Sequence, residues 1–466
     1  MDEKKLSGRE LLFTTHGIPP MGASLSLAFQ HLVAMIVGCV TPAIIVANAA
    51  GLDMSDRVIL IQASLVVSAI STFLQIFPIG GKKGGFRFGS GLPVIIGVSF
   101  AYVPSMQAIA GAGEGGHLGV ASIAGAMLVG GAVAVIVGLF LKKIRKFFPP
   151  IITGTVVFTI GLSLYPTAIN YMAGGTSNTY ELVVQTKGLT EALVYGSWQN
   201  WVVALLTLAM VVLLSNYTKG ITKLAATLFG MIFGYIVALC FGMVDFSGLS
   251  SSGWFEAPHL VPFGMSFDVA ACIALGLLFA VNSVQAIGDF TSTTVGGMDR
   301  EPTDNELQGG ILCYGVTNML GSFFGGLPTA TYSQNVGIVS TNKVINRFVF
   351  AVAAGFMLLA GLIPKFSGLL TTIPQCVLGG ATVSVFSTIA MTGMRLITSK
   401  GLSPRTVTVV GLSVALGVGV WQAADSIGQF PETFTMVFGK SPVVVATIVA
   451  LILHNIIPKD KDSLAD

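Results

Sequence analysis

Between Leu11 and Leu52 the chain carries no Asp, Glu, Lys or Arg, and the same holds from Leu307 to Asn342. Runs of this kind leave few options. A stretch of roughly 20 apolar residues crosses the hydrocarbon of a bilayer as a helix, because in lipid each backbone N–H and C=O must be paired within the protein. Reading such runs along the sequence gives about fourteen segments. Only 10% of the 466 residues are charged and 53% are hydrophobic, against roughly 25% charged in a soluble domain. The chain is expected to be an all-α integral membrane protein with 14 transmembrane segments.

The cationic side chains test that count. With an even number of crossings both termini lie on one side. All but four of the 24 Lys and Arg then fall on that side, the exceptions being Arg57, Lys187, Lys365 and Lys440. Because short cytoplasmic loops collect Lys and Arg, both termini are expected in the cytoplasm. The longest outer stretches are expected at 163–198 and 245–267. A net charge of +3 gives no reason to expect a nucleic-acid partner. The five cysteines stand far apart without a C-x-x-C pair, so neither a disulfide framework nor a metal site is expected. No cofactor is expected, and no catalytic constellation points to an enzyme. No cleavable leader is visible before Leu25, since no long apolar core precedes that residue.

Segments three and ten are broken. In Gly325–Arg347, Pro328 bars helix on its N-terminal side and pushes Leu327 toward extended backbone. Thr329 to Ser333 is mostly β-branched, hydroxylated or aromatic, which suits a short strand. Leu92-Pro93 precedes Val98-Ser99-Phe100 in segment three as Leu327-Pro328 precedes Ser333-Gln334-Asn335 in segment ten. Segment five opens Phe148-Pro149 with Gly154, and segment twelve opens Ile373-Pro374 with Gly379 at the same offset. Three pairs with ten and five with twelve under a shift of seven segments, the pattern of a 7+7 inverted repeat. The two extended pieces are expected to form two short antiparallel strands at mid-membrane.

An interrupted segment at that depth is where transporters bind cargo. Gln334 and Asn335 open the half-helix, with Ser333 beside them. A primary amide offers a donor next to an acceptor, matching the N–H/C=O edge of a purine or pyrimidine, although plain interhelical bonding would also explain it. Phe100 and Tyr332 are placed to stack on a flat ring. Asn282, Gln285 and Asp289 share one face of segment eight, and an ionisable group there is a functional candidate. Gln30-His31 lies in the charge-free run of segment one, where a histidine serves either as interhelical glue or near the site. Asp289 and then His31 are the candidate carriers of a coupling proton. Gly80–Gly91 lacks the G-K-[ST] ending of a phosphate loop and reads as glycine packing. Asp299–Glu306 reads as a solvated loop leading into a helix.

Together these residues resemble the nucleobase–cation symporter-2 family, also called the nucleobase–ascorbate transporter family. Its segment-ten signature, [QEP]-N-x-G-x-x-x-x-T-[RKG], is met by Gln334, Asn335, Gly337 and Lys343, with Asn342 standing where Thr belongs. Gln30-His31, Ser99 to Tyr102, Ala286 to Asp289 and Pro374 to Gly379 also match, so the likeness spans nearly the whole chain. The resemblance implies a core domain from 1–142 and 246–365 and a gate domain from 143–245 and 366–466. It further implies uptake of xanthine, uric acid or uracil with protons across the cell membrane, usually by a homodimer. Two positions depart from the family: Gln285 replaces a Glu that contacts the base, and Tyr314 replaces an Asp of many purine carriers. Gln285 cannot carry a proton, which leaves Asp289. Gln at 334 favours a purine, xanthine or uric acid. The alternatives are an uncoupled or sodium-linked carrier of another base such as uracil, or an anion transporter of the same architecture.

Overall fold

A computed structural model describes residues 8–81, 87–111, 116–144, 149–175, 195–246, 249, 253–399, 401–431 and 434–458. Among them, eight helices are long and apolar enough to cross a membrane, or nine if one bent pair is counted as a span. With the shorter elements between them, the order is α1 (Met21–Ala50), α2 (Met54–Ile76), then the pieces β1 (Ile79–Gly80), β2 (Arg87–Phe88), β3 (Ile96–Val98) and α3 (Val103–Ala110). They continue with α4 (Gly116–Leu139), α5 (Pro150–Met172), α6 (Trp198–Tyr217), α7 (Ala226–Cys240), α8 (Val269–Met298) and α9 (Asp304–Phe323). The rest are β4 (Thr329–Thr331), α10 (Ser333–Asn342), α11 (Arg347–Gly361), α12 (Pro364–Thr371), α13 (Gln375–Thr398), α14 (Pro404–Gln422) and α15 (Pro442–Ile456). The bent pair is α11 and α12, which turn through 79° at Pro364.

Local chemistry explains the boundaries. Asp53 accepts the Asp56 N–H at 2.9 Å and starts α2, and Asp268 accepts the Ala271 N–H at 2.7 Å and starts α8. Thr303 and Glu306 form a reciprocal capping box at α9, satisfying two donors that a helix start leaves open. Glu306 also receives both terminal nitrogens of Arg300, at 2.9 and 2.7 Å, so the charged loop before α9 is folded back on its helix. The outer stretch expected from residue 163 begins later. Helix α5 runs on through Pro166 to Met172; most of the remaining stretch, 176–194, lies outside the described residues.

The two Pro-broken pieces form one antiparallel pair. Ile96, Gly97 and Val98 face Thr331, Ala330 and Thr329. The ladder extends at both ends, through Tyr332 N–H to Ile95 O at 3.0 Å and Ser99 N–H to Pro328 O at 3.1 Å. Side chains anchor each strand from behind: the Thr72 hydroxyl accepts the Ile96 N–H at 3.0 Å, and the Asn318 carbonyl accepts the Thr329 N–H at 2.8 Å. Strand pairing that would otherwise be exposed to lipid is thereby buried in protein. Each strand feeds a short helix. Helix α10 has ten residues, about 15 Å at ~1.5 Å per residue, or half of a ~30 Å hydrocarbon core. A second two-stranded pair, β1 with β2, flanks the glycine-rich segment, whose residues 82–86 lie outside the described ones.

Helices α5 and α13 run antiparallel in close contact. A Cβ added to Gly161 would sit 2.4 Å from Ala390 N, one at Gly379 2.3 Å from Met172 N, and one at Gly393 2.2 Å from Phe158 N. Small residues let helix backbones approach where lipid gives no hydrophobic drive. At the far end of α10, Lys343 ends the helix in the left-handed conformation (φ 60°) and places its ammonium 2.8 Å from Asp299. Next to it, the buried Asn346 side chain caps α11. Its amide donates to Leu11 O at 2.8 Å, with His16 O and Gly17 O at 3.3 and 3.2 Å.

Candidate functional site

The strand pair, the start of α10 and the middle of α8 form one wall of a cavity of about 210 Å³. Helices α5 and α13 form the other. Gln285, Gln334, Ser333 and Phe100 line the first wall, while Val157, Ile160, Thr388, Ile389 and Thr392 line the second. Among the described residues that line it there is no Asp, Glu, Lys, Arg or His.

Strand geometry and helical spacing assemble the polar side. Gln334 follows β4 at the second position of α10, where the chain has just left extended backbone, and Gln285 approaches from α8. One turn further along α8, Asp289 is 8% exposed. It accepts the Thr331 hydroxyl at 2.5 Å and the Ser333 hydroxyl at 2.8 Å. Those two residues line the cavity and Asp289 lies one layer behind them. Two donated hydrogen bonds are what a buried carboxylate needs to offset part of its desolvation. The helix start has no side-chain cap; the Asn335 and Val336 N–H groups donate to Tyr332 O, so it is those of Ser333 and Gln334 that face a ligand's carbonyl oxygen.

Phe100 and Tyr332 line the cavity, whereas Asn335 and His31 are not among its lining residues. Phe100 borders the cavity, with its ring edge-on to Phe386 at a centroid distance of 5.2 Å. Tyr332 contributes to the wall, but its ring is wedged between Gly38 and Gly97 and its hydroxyl donates to Val98 O at 2.6 Å. The ring is held against α1 and β3, which differs from the expected two-sided stacking with Phe100. The small residues at 38 and 97 leave a slot that this ring fills. Asn335 turns away from the cavity to α1. Its amide donates to His31 Nδ1 and His31 O, both at 3.1 Å. His31 is fully buried, 4.4 Å from the Phe350 ring, and joins α1 to the half-helix. Tyr314 lies deeper still, its hydroxyl bonded to that of Tyr102 beside Phe279.

Sequence reasoning did not single out the second wall. Thr388 and Thr392 are spaced one helical turn apart in an apolar segment, a pattern shared by many helices that only pack. Their pairing with Val157 and Ile160 depends on the close approach of α5 to α13.

Comparisons with known proteins agree with this architecture. The profile of a permease family, Xan_ur_permease, matches residues 22–425. Xanthine permease XanQ of Escherichia coli strain K12 is 31% identical over 98% of this chain and 96% of its own length. Uric acid permease PucK of Bacillus subtilis strain 168 is 31% identical over 95% of this chain and 97% of its own. Among solved structures, the transmembrane domain of a cyanobacterium bicarbonate transporter, BicA, matches with a TM-score of 0.59 at 17% identity. That match covers 97% of this chain and 98% of the other, and at this identity it speaks for the fold. The chain is a multi-pass membrane permease, not an enzyme, and belongs to the Xan_ur_permease family, the nucleobase–cation symporters its segment-ten motif resembles.

Proposed function

We propose that the protein imports a purine nucleobase, xanthine or uric acid, by proton symport. The carrying observation is the cavity itself: two uncharged amides, Gln285 and Gln334, at a gap between a strand pair and a half-helix, opposite a largely apolar wall. Each amide can pair with an N–H/C=O edge as glutamine does with adenine. The open N–H groups at the start of α10 would receive a ring carbonyl. Phe100 covers one face, and Ser333 and Tyr332 complete the rim. His31 and Asn335 hold the half-helix against α1, which keeps Gln334 in register with Gln285.

Coupling in this reading runs through Asp289. Its two hydroxyl partners connect it to the cargo without exposing it, so a proton arriving there changes the charge one layer behind the bound base. Gln285 cannot take that part. The fourteen spans are read as a 7+7 inverted repeat. Segments 1–142 and 246–365 act as a core that moves against a gate of 143–245 and 366–466, with both termini in the cytoplasm and two copies in the cell membrane. The relatives' substrates and the cavity's position between these units support the reading.

The fold likeness to a bicarbonate transporter supports a second reading, anion transport. An anion carrier would call for a cation at the site, and among the described lining residues there is none. Vesicles carrying the protein should take up labelled xanthine faster with an acidic exterior, and Gln334→Ala should abolish uptake while the protein stays in the membrane. Uptake independent of a pH gradient, driven by sodium, or confined to uracil or bicarbonate would reject the proton–purine reading.

A further inference from the structure

Six residues with hydroxyl side chains line the cavity: Ser99 accepts the Ala101 N–H, Tyr332 donates to Val98 O, and the protons of Thr331, Ser333, Thr388 and Thr392 are engaged as well. Thr331 and Ser333 donate to Asp289. On the opposite wall, Thr388 donates to Ser384 O at 3.0 Å and Thr392 donates to Thr388 O at 2.8 Å. Such i−4 bonds fix the hydroxyl rotor in a helix. A hydroxyl has one proton and two lone pairs, so what these oxygens can still offer a ligand is lone pairs. Around Thr388 and Thr392 the wall is Val157, Ile160 and Ile389. The two threonines are therefore the polar side chains that α5 and α13 bring to the cavity.

We infer that Thr388 and Thr392 form an acceptor-only face of the cargo site and select bases by the N–H groups on the edge turned away from the glutamines. The inference rests on the purine reading above and adds its specificity. The glutamine wall reads a mixed donor–acceptor edge. The threonine wall repels a carbonyl or a ring nitrogen lone pair and welcomes an N–H. A neutral oxopurine with N–H groups on both edges satisfies both walls. A base methylated at the nitrogen facing α13 does not, because its methyl group would cover the threonine oxygens and leave them unmatched, the situation in which discrimination is steepest.

The test is competition of labelled xanthine uptake by xanthine and its 1-, 3-, 7- and 9-methyl derivatives. It is run in the wild type and in Thr388→Val, Thr392→Val, Thr388→Ser and Thr392→Ser. A valine variant should weaken xanthine about tenfold, equivalent to ~1.4 kcal/mol, while leaving the derivative methylated at the nitrogen it reads unchanged. The serine variants should behave as wild type. Valine variants that leave the whole panel unchanged, or weaken every member in the same proportion, or match their serine counterparts, would overturn the inference. A wild type that takes up no xanthine would sink the purine reading and this inference together. Normal wild-type uptake with an unaltered panel would sink this inference alone.

Discussion

Replacing Gly97 by alanine should disable the site from a distance, through Tyr332. The added Cβ would lie 2.4 Å from Tyr332 Cε2 and 2.5 Å from Cys39 Sγ, about 1 Å inside ordinary carbon contact of ~3.5 Å. Strand β3 cannot yield, because Ile96 is bonded to Thr72 and Gly97 is held in register with Ala330. The ring must move, and its bond to Val98 O at 2.6 Å must stretch or break. Overpacking a tight core costs about 1–3 kcal/mol and losing a buried hydrogen bond about 1 kcal/mol more, for a total of roughly 2–4 kcal/mol. Since Tyr332 immediately precedes α10, the shift passes to Ser333 and Gln334. Xanthine uptake should fall more than tenfold at equal protein in the membrane, with a lowered unfolding temperature in detergent. The decisive assay is a double-mutant cycle with Tyr332→Leu, which removes the ring. Run in a Cys39→Ala background, which removes the second contact, Gly97→Ala should add little to Tyr332→Leu if the ring clash is the cause, a coupling within the ~0.5–3 kcal/mol typical of contacting residues. Additive losses, or wild-type uptake and stability in Gly97→Ala alone, would refute the reasoning.

Two further outcomes follow from the same geometry. Asp289→Asn should flatten the pH dependence of uptake without removing the protein from the membrane, measured as initial rates across an imposed gradient; an unchanged profile would remove Asp289 from the coupling. Asp53 sits outside the spans, where the Asp56 N–H and then the Ser55 hydroxyl hold its carboxyl below the usual carboxylate range. A depressed folded-state value means that its contribution is complete above the unfolded value of about 3.9 and is lost as pH falls through the folded one. Asp53→Ala should therefore cost about 1 kcal/mol of stability near neutral pH, as loss of an N-cap does, and less in strong acid. Equal losses at both pH values would contradict it.

How far the sequence carries depends on whether a feature is local. Pro93 and Pro328 impose their breaks through their own rings, so the paired strands and the half-helix can be expected from the residues alone. The shared face of Gln285 and Asp289 follows from helical spacing in the same way. Gln334 at the cavity follows from its place just after the break. The slot for Tyr332 does not, because it is made by Gly38 on one helix and Gly97 on a strand far apart in the chain. The opposite wall was hidden for a like reason: Thr388 and Thr392 gain meaning only when α5 lies against α13 through Gly161 and Gly393. The outer stretch expected from residue 163 falls short for another reason, since the helix continues through Pro166 to Met172.

Asn346 gives the segment before α1 a mechanical reach. Because its one amide grips the carbonyls of Leu11, His16 and Gly17 where α10 hands over to α11, a pull on that leading segment arrives at the tail of the half-helix. A change that displaces residues 11–17 should thus loosen the junction of α10 and α11 as well, read as a lowered unfolding temperature in detergent.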